Sequence, residues 1–155
     1  MSQRLRVLVV DDSAFMRGAI SRVLSSDSRF EVAGQAKDGE EAVKLAVELR
    51  PDVISMDFNM PGLNGAEATR AILARQPTPI VMLTVSEDDD DLFESIKAGA
   101  NGYLLKNVKP EQLFEDLRGV MRGEAPIAPA VASKLLEALR TGGIPVRGQQ
   151  AVAPQ

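Results

Sequence analysis

A doubly wound α/β fold, in which a buried parallel sheet is covered by helices on both faces, is what this sequence predicts. Three observations carry that expectation. The runs Val7-Leu8-Val9-Val10, Val53-Ile54-Ser55-Met56 and Ile80-Val81-Met82-Leu83 are almost wholly apolar and do not alternate, the pattern of strands buried on both faces. Each is followed by a segment with apolar residues at three- and four-residue spacing, the period of an amphipathic helix. Finally, acids close the first two runs, Asp11 and Asp12 after the one and Asp57 after the other, and such sheets bind ligands beyond the carboxyl ends of their strands.

The elements follow in order. Arg6 to Asp11 is the first strand; the next helix, Ala14 to Ser25, turns Met16, Ala19, Ile20, Val23 and Leu24 inward and is capped by Asp12 or Ser13. Phe30 to Ala36 is a second strand, less apolar and so nearer an edge, and a helix from Gly39 or Glu40 to Arg50 stops before Pro51. Val53 to Asp57 is the third strand. Pro61-Gly62-Leu63-Asn64-Gly65 is a loop, in which Pro61 and Gly65 act as punctuation. Asn64 with Glu67 forms a capping-box pattern for a helix to about Arg75.

Ile80 to Thr84 is the fourth strand, and a helix from about Asp88 to Ala98 ends at Gly99, a suitable C-cap. The acidic run Glu87 to Asp91 decorates the start of that helix, where negative charge is favourable. Gly102 to Leu105 is a short fifth strand, and Pro110 suits the first turn of a helix to about Arg122 with Leu113, Leu117, Val120 and Met121 buried. Residues 1–123 are therefore expected to form one domain, residues 124–140 a linker with an extra helix from Ala130 to Arg140, and residues 141–155 a flexible tail. Strand-helix alternation with right-handed crossovers gives helices on both faces.

Composition narrows the function. The chain has 155 residues, a formal charge of -4, no cysteine and no histidine. Disulfides, thiolate metal sites, a typical zinc site and a Ser-His-Asp triad are excluded. Nucleic-acid contact by this chain itself is not expected, because no basic stripe is present. No apolar stretch nears the roughly 18 to 20 residues of a membrane span, and the first apolar segment is strand-length and closed by acids, so a cytoplasmic protein with no membrane contact is expected.

Thr84 at the end of the fourth strand and Lys106 just after the fifth complete a constellation. If these strand ends converge, Asp11, Asp12 and Asp57 crowd three negative charges together, which is costly unless a hard cation lies among them. Acids, a hydroxyl and an ammonium together can hold a metal ion and a phosphoryl group. Taken singly, Asp12 reads as a helix cap, Lys106 as a surface lysine, Thr84 as an ordinary strand-end hydroxyl and Tyr103 as a half-buried aromatic. Only the joint pattern gives them roles.

That pattern resembles the receiver domain of bacterial two-component response regulators. The matching residues are Val-Asp-Asp-Ser at 10–13, Met-Asp-Phe-Asn-Met-Pro-Gly at 56–62, Asn-Gly at 64–65, Leu-Thr at 83–84 and Gly-Tyr-Leu-Leu-Lys at 102–106. The resemblance implies a flavodoxin-like sheet of order 2-1-3-4-5. It implies that Asp57 is the phosphoacceptor, taking a phosphoryl group from a sensor histidine kinase or histidine phosphotransfer protein, with Lys106 and Thr84 assisting. It also implies Mg²⁺, for which Mn²⁺ could substitute, ligated by Asp12 and Asp57, by Asp11 through water and by the Asn59 backbone carbonyl. Thr84 and Tyr103 would form the switch, the aromatic ring turning inward as the threonine moves, and a phosphorylation-dependent homodimer could follow. The chain would be a signalling domain and not an enzyme, beyond its own phosphorylation and dephosphorylation.

Two departures stand out. Asn107 follows Lys106 where many receivers carry proline, leaving the isomer of that peptide open, and Val85 follows Thr84 where many carry alanine. With Asn59 and Ser86, Val85 is placed to set the phosphate lifetime. The start, Asp-Asp-Ser-Ala-Phe-Met-Arg, is similar to receivers of chemotaxis methylesterases, whereas residues 98–106 and the proline-rich segment before Val131 are similar to NarL/LuxR-type transcriptional regulators. The latter normally continue into a helix-turn-helix output domain, for which nothing after Thr141 has the pattern. The expectation is thus a receiver for transcriptional regulation lacking that domain, or a stand-alone receiver acting by protein contact. A phosphatase of the haloacid dehalogenase type would need a second acid where Asn59 stands, and a pseudo-receiver would not need the acids, Thr84 and Lys106.

Overall fold

β1 (Leu5–Val10), β2 (Phe30–Ala36), β3 (Val53–Met56), β4 (Ile80–Thr84) and β5 (Gly102–Leu105) pair in parallel in the order β2-β1-β3-β4-β5. The computed structural model describes residues 3–142; the expected tail from residue 143 onward lies outside them. As expected, β2 is an edge strand, and its register against β1 shifts between Val7 and Leu8. The middle strands are buried on both faces, and the pleat sends successive side chains to opposite sides. Val7, Val9, Val53, Val81, Leu83 and Leu104 face one core, built with α1 (Ala14–Ser25) and α5 (Pro110–Met121). Leu8, Val10, Ile54, Met56, Met82 and Tyr103 face the other. This second core is built with α2 (Gly39–Leu49), α3 (Gly65–Leu73), α4 (Asp89–Ala98) and α6 (Pro129–Arg140).

Helix ends follow local chemistry. Ser13 caps α1 by accepting from the Met16 amide, Asp38 caps α2 through Glu41, and Asn64 and Glu67 form the reciprocal capping box at α3. Gly99 closes α4 in the left-handed region at φ 108°, which glycine enters without a Cβ penalty. α3 stops at Leu73, short of the Arg75 expected, and its last turn tightens as the Arg75 and Gln76 amides both donate to the Ile72 carbonyl. Pro77 disfavours continuation beyond that turn.

Residues 124–140, expected as a linker with an extra helix, pack on the same core as the sheet. α6 buries Val131 and Ala138 beside Leu92, Phe93 and Tyr103. Among the described residues every peptide bond is trans, the Lys106–Asn107 bond included, and no helix is long and apolar enough to cross a membrane.

Candidate functional site

The site forms because the ladder carries four polar residues to one edge of the sheet. Val10 pairs with Met56, and the next amide, of Asp57, donates to the Val10 carbonyl at 3.0 Å, so Asp11 and Asp57 leave neighbouring strands side by side. Thr84 pairs with Leu105, and the Lys106 amide donates to the Thr84 carbonyl at 2.9 Å. The sequence pattern extends the first and third strands through Asp11 and Asp57. Both lie one residue beyond the assigned ends, which frees their carboxylates to enter the crevice.

Asp11, Asp12 and Asp57 offer ligand oxygens within 4.8 Å of one another, with Asp11 and Asp57 buried and Asp12 exposed. Lys106 Nζ stands 2.7 Å from Asp11 Oδ2 and 3.3 Å from Asp57 Oδ2. The backbone fixes the acids: the Phe58 amide donates to Asp57 Oδ1 at 2.8 Å, the Ser13 amide to Asp11 Oδ1 at 2.9 Å, and Arg17 Nη1 to the Asp11 carbonyl at 2.7 Å. Asn59, Asp12 and Asp91 line an open crevice of about 510 Å³ beside Phe58.

Electrostatics match this crowding. Burial pushes the Asp57 carboxyl above the ordinary carboxylate range and the charge of Asp11 adds to the push, while Lys106 and Thr84 pull the other way. For Lys106, burial disfavours the ammonium, yet its hydrogen bond to Asp11 and the charges of Asp57 and Asp11 outweigh that, and its pKa rises. Three carboxylates against one ammonium leave an excess of negative charge. Lys106 Nζ is the one cation within reach of Asp11 Oδ2, which has no other partner among the described residues. An oxygen-rich, negatively charged set of this kind fits a divalent hard cation.

Every residue the sequence singled out for the metal and the phosphoryl group is at this edge: Asp11, Asp12, Asp57, Thr84 and Lys106, with Asn59 on the rim. Tyr103 stands in the inward position, one end of the turn that the resemblance implies. Its ring is already inside and wholly buried, and its hydroxyl donates to the Ser86 carbonyl at 2.9 Å. Pairing of its backbone with residues 126–128 covers it from outside.

Sequence reading missed three contributors. Asp91, read as helix decoration, accepts from the Ser86 hydroxyl at 2.6 Å and lines the crevice. Arg17 carries no signal beyond its place in α1. Gly65, read as punctuation, is the first residue of α3 and lies directly under the site: a Cβ there would come 2.4 Å from the Asp57 carbonyl oxygen and 2.9 Å from Phe58 Cα. Backbone cannot yield as a flexible side chain does. Gly65→Ala is therefore expected to cost about 1–3 kcal/mol in urea unfolding, and to displace Asp57 from Lys106.

A larger hollow of about 660 Å³ lies at the opposite strand ends and includes Arg29, Arg118 and Arg122. Asp27, Glu115 and Glu124 already pair with those guanidinium groups. It holds no comparable reacting constellation.

Comparison with known proteins agrees with the geometry. The chain is 42% identical over 140 residues to the transcriptional regulatory protein LiaR of Bacillus subtilis (strain 168), covering 90% of this chain and 66% of that protein. It is 42% identical over 132 residues to the response regulator GacA of Pseudomonas aeruginosa, covering 84% of this chain and 62% of that protein. The chain thus spans just under two thirds of the length of these relatives. Among solved structures, the response regulator domain of Thermotoga maritima CheB matches with a TM-score of 0.73 at 38% identity, over 77% of this chain and 98% of that one. A LuxR-family two-component response regulator from Aurantimonas sp. SI85-9A1 matches with a TM-score of 0.82 at 28% identity, over 90% of this chain and 99% of that one. Both likenesses seen in the sequence recur. The family model described as the response regulator receiver domain matches residues 7–118.

Proposed function

Because this chain belongs to the response regulator receiver family, we propose that Asp57 is its phosphoacceptor and takes a phosphoryl group from a phosphohistidine on a sensor histidine kinase or histidine phosphotransfer protein. The observation that carries this is the Asp57 carboxylate, buried, raised in pKa and faced by both Lys106 and Asp11. An Asp57 oxygen attacks phosphorus, the phosphorus–nitrogen bond breaks, the imidazole nitrogen keeps the electron pair, and an acyl phosphate remains on Asp57. The chain itself has no histidine.

Charge stabilisation and positioning are most of what a protein contributes to phosphoryl transfer. Mg²⁺, when bound, supplies positive charge beside the transferring group, and Asp12, Asp57, the Asn59 carbonyl and water on Asp11 would hold it; Mn²⁺ could replace it. Asp11 holds the Lys106 ammonium, Lys106 meets the phosphoryl oxygens, and Thr84 donates a hydrogen bond to the product. Asn59 supplies no second carboxylic acid, so phosphatase turnover of external substrates is not part of this reading. A single addition of a phosphoryl group from acetyl phosphate, dependent on Mg²⁺ and read by intact mass, tests it; no addition would end it.

Output follows from the Thr84 bond. A charge-assisted hydrogen bond is worth about 1.5–3 kcal/mol, whereas moving a two-state equilibrium from 1:99 to 99:1 takes about 5.5 kcal/mol. Thr84 therefore needs Lys106 and the metal to bias the same state. Switching of the Thr84 and Tyr103 face then controls a homodimer and, in the cytoplasm, transcription, as the names of the relatives suggest. Thr84→Ala is expected to retain phosphorylation but lower the phosphorylated dimer fraction in analytical ultracentrifugation; an unchanged fraction would remove Thr84 from the switch.

A further inference from the structure

α6 is held by the loop that follows Thr84, through Lys134 on the Glu87 carbonyl and Asp89. Residues 126–128 run beside β5, where the Tyr103 amide donates to the Pro126 carbonyl and the Ala128 amide to the Tyr103 carbonyl, each at 2.9 Å. Gly102 permits this approach, since a Cβ there would come 2.8 Å from the Pro126 carbonyl oxygen. The helix that follows buries Val131 and Ala138 in the core that holds Tyr103. Near its middle, Lys134 pairs with Asp89 at 3.1 Å and donates to the Glu87 carbonyl.

The same β4–α4 loop is tied to the phosphoryl site. The Ser86 amide donates to Thr84 Oγ1 at 3.2 Å, the Ser86 hydroxyl donates to Asp91, and the Ser86 carbonyl accepts from Tyr103. Hydrogen bonds thus run from Thr84 through Ser86 to Tyr103, and from Glu87 to Lys134. Tyr103 already stands inward and fully buried, and its hydroxyl is bonded to the Ser86 carbonyl. Movement of Thr84 would therefore reach residues 85–88 and the helix bonded to them.

We propose that α6 is a latch, docked on α4 and β5 while Asp57 is unmodified and loosened when the phosphoryl group draws Thr84 and with it the Ser86–Glu87 backbone. This inference rests on the phosphoacceptor role given to Asp57. The exposed Lys134–Asp89 pair is weak alone; it sets where α6 sits, while Val131 and Ala138 hold it. Coupling is reciprocal, so weakening the latch favours the phosphorylated conformation.

Hydrogen exchange by mass spectrometry over residues 129–140, with the intact mass of the same samples, tests this. Acetyl phosphate with Mg²⁺ should speed exchange in α6 by about 5-fold or more, the usual lower range of such coupling. Lys134→Met and, independently, Gly102→Ala should speed it without phosphorylation, and each should bind beryllofluoride with Mg²⁺ more tightly than the wild type. Unchanged α6 exchange in a sample whose mass shows the added phosphoryl group would overturn the latch and leave the phosphoacceptor intact. So would faster α6 exchange in both variants without tighter beryllofluoride binding. No added mass would overturn the phosphoacceptor, and the latch with it.

Discussion

Asp57→Asn is expected to take up no phosphoryl group from acetyl phosphate under conditions in which the wild-type chain gains one. An amide oxygen carries no full negative charge to attack phosphorus, and the neighbouring acids offer no substitute: Asp11 is held by Lys106 and Asp12 is exposed on the rim. Labelling of the variant at the same site would overturn the assignment. The same substitution should also raise the stability of the metal-free protein. Folding raises the Asp57 pKa, by burial first and then by the charge of Asp11, so the native state binds the proton more tightly than the unfolded chain. Its ionisation therefore costs stability above the folded pKa, a cost that fades as pH falls through that pKa and is gone below the ordinary carboxylate range. The melting midpoint of Asp57→Asn in chelator should exceed that of the wild type at neutral pH, with the gap closing in acid. Mg²⁺ should narrow the gap, because a cation removes the same repulsion; a variant less stable than the wild type at neutral pH would contradict this account.

Lys106→Met is expected to give the largest loss of stability among single changes at the site. The ammonium lies between Asp11 and Asp57, whose side chains are 1% and 5% exposed. Removing one partner of a buried ion pair leaves charge uncompensated, at about 3–5 kcal/mol for full burial. Lys106 itself is partly reached by solvent and Asp57 can take up a proton, so a loss of about 2–3 kcal/mol in urea unfolding with chelator present is expected. Its folded pKa is raised, so the pair is fully in place at neutral pH and would fail only as pH rises through that value. Loss of a preorganised cation should also slow phosphorylation by acetyl phosphate by about 10²–10³-fold. A rate within a factor of a few of wild type would mean that the metal alone handles the developing charge.

Much of this is legible in the sequence itself. The almost wholly apolar, non-alternating runs at β1, β3 and β4 call for burial on both faces, and helical periodicity between them gives the alternation. Placement of Asp11, Asp12, Asp57, Thr84 and Lys106 at strand ends pointed to one crevice because every strand of a parallel sheet ends on the same side. The strand order itself came from family resemblance, since periodicity does not say which strands are neighbours.

Tertiary structure decided the rest, for one physical reason. Local pattern reports which residues seek burial, whereas the role of a residue often depends on what a distant segment brings against it. Gly65 matters because the Asp57 carbonyl sits where its Cβ would be. Asp91 matters because Ser86 folds back to it. Tyr103 lies inward because residues 126–128 pair with its backbone, and the helix expected at the end of a linker became part of the core because Val131 and Ala138 found room beside α4. The sequence by itself determined the class of fold and the chemistry gathered at the strand ends; which contacts hold that chemistry in place was decided only when residues far apart in the chain came within van der Waals and hydrogen-bond reach.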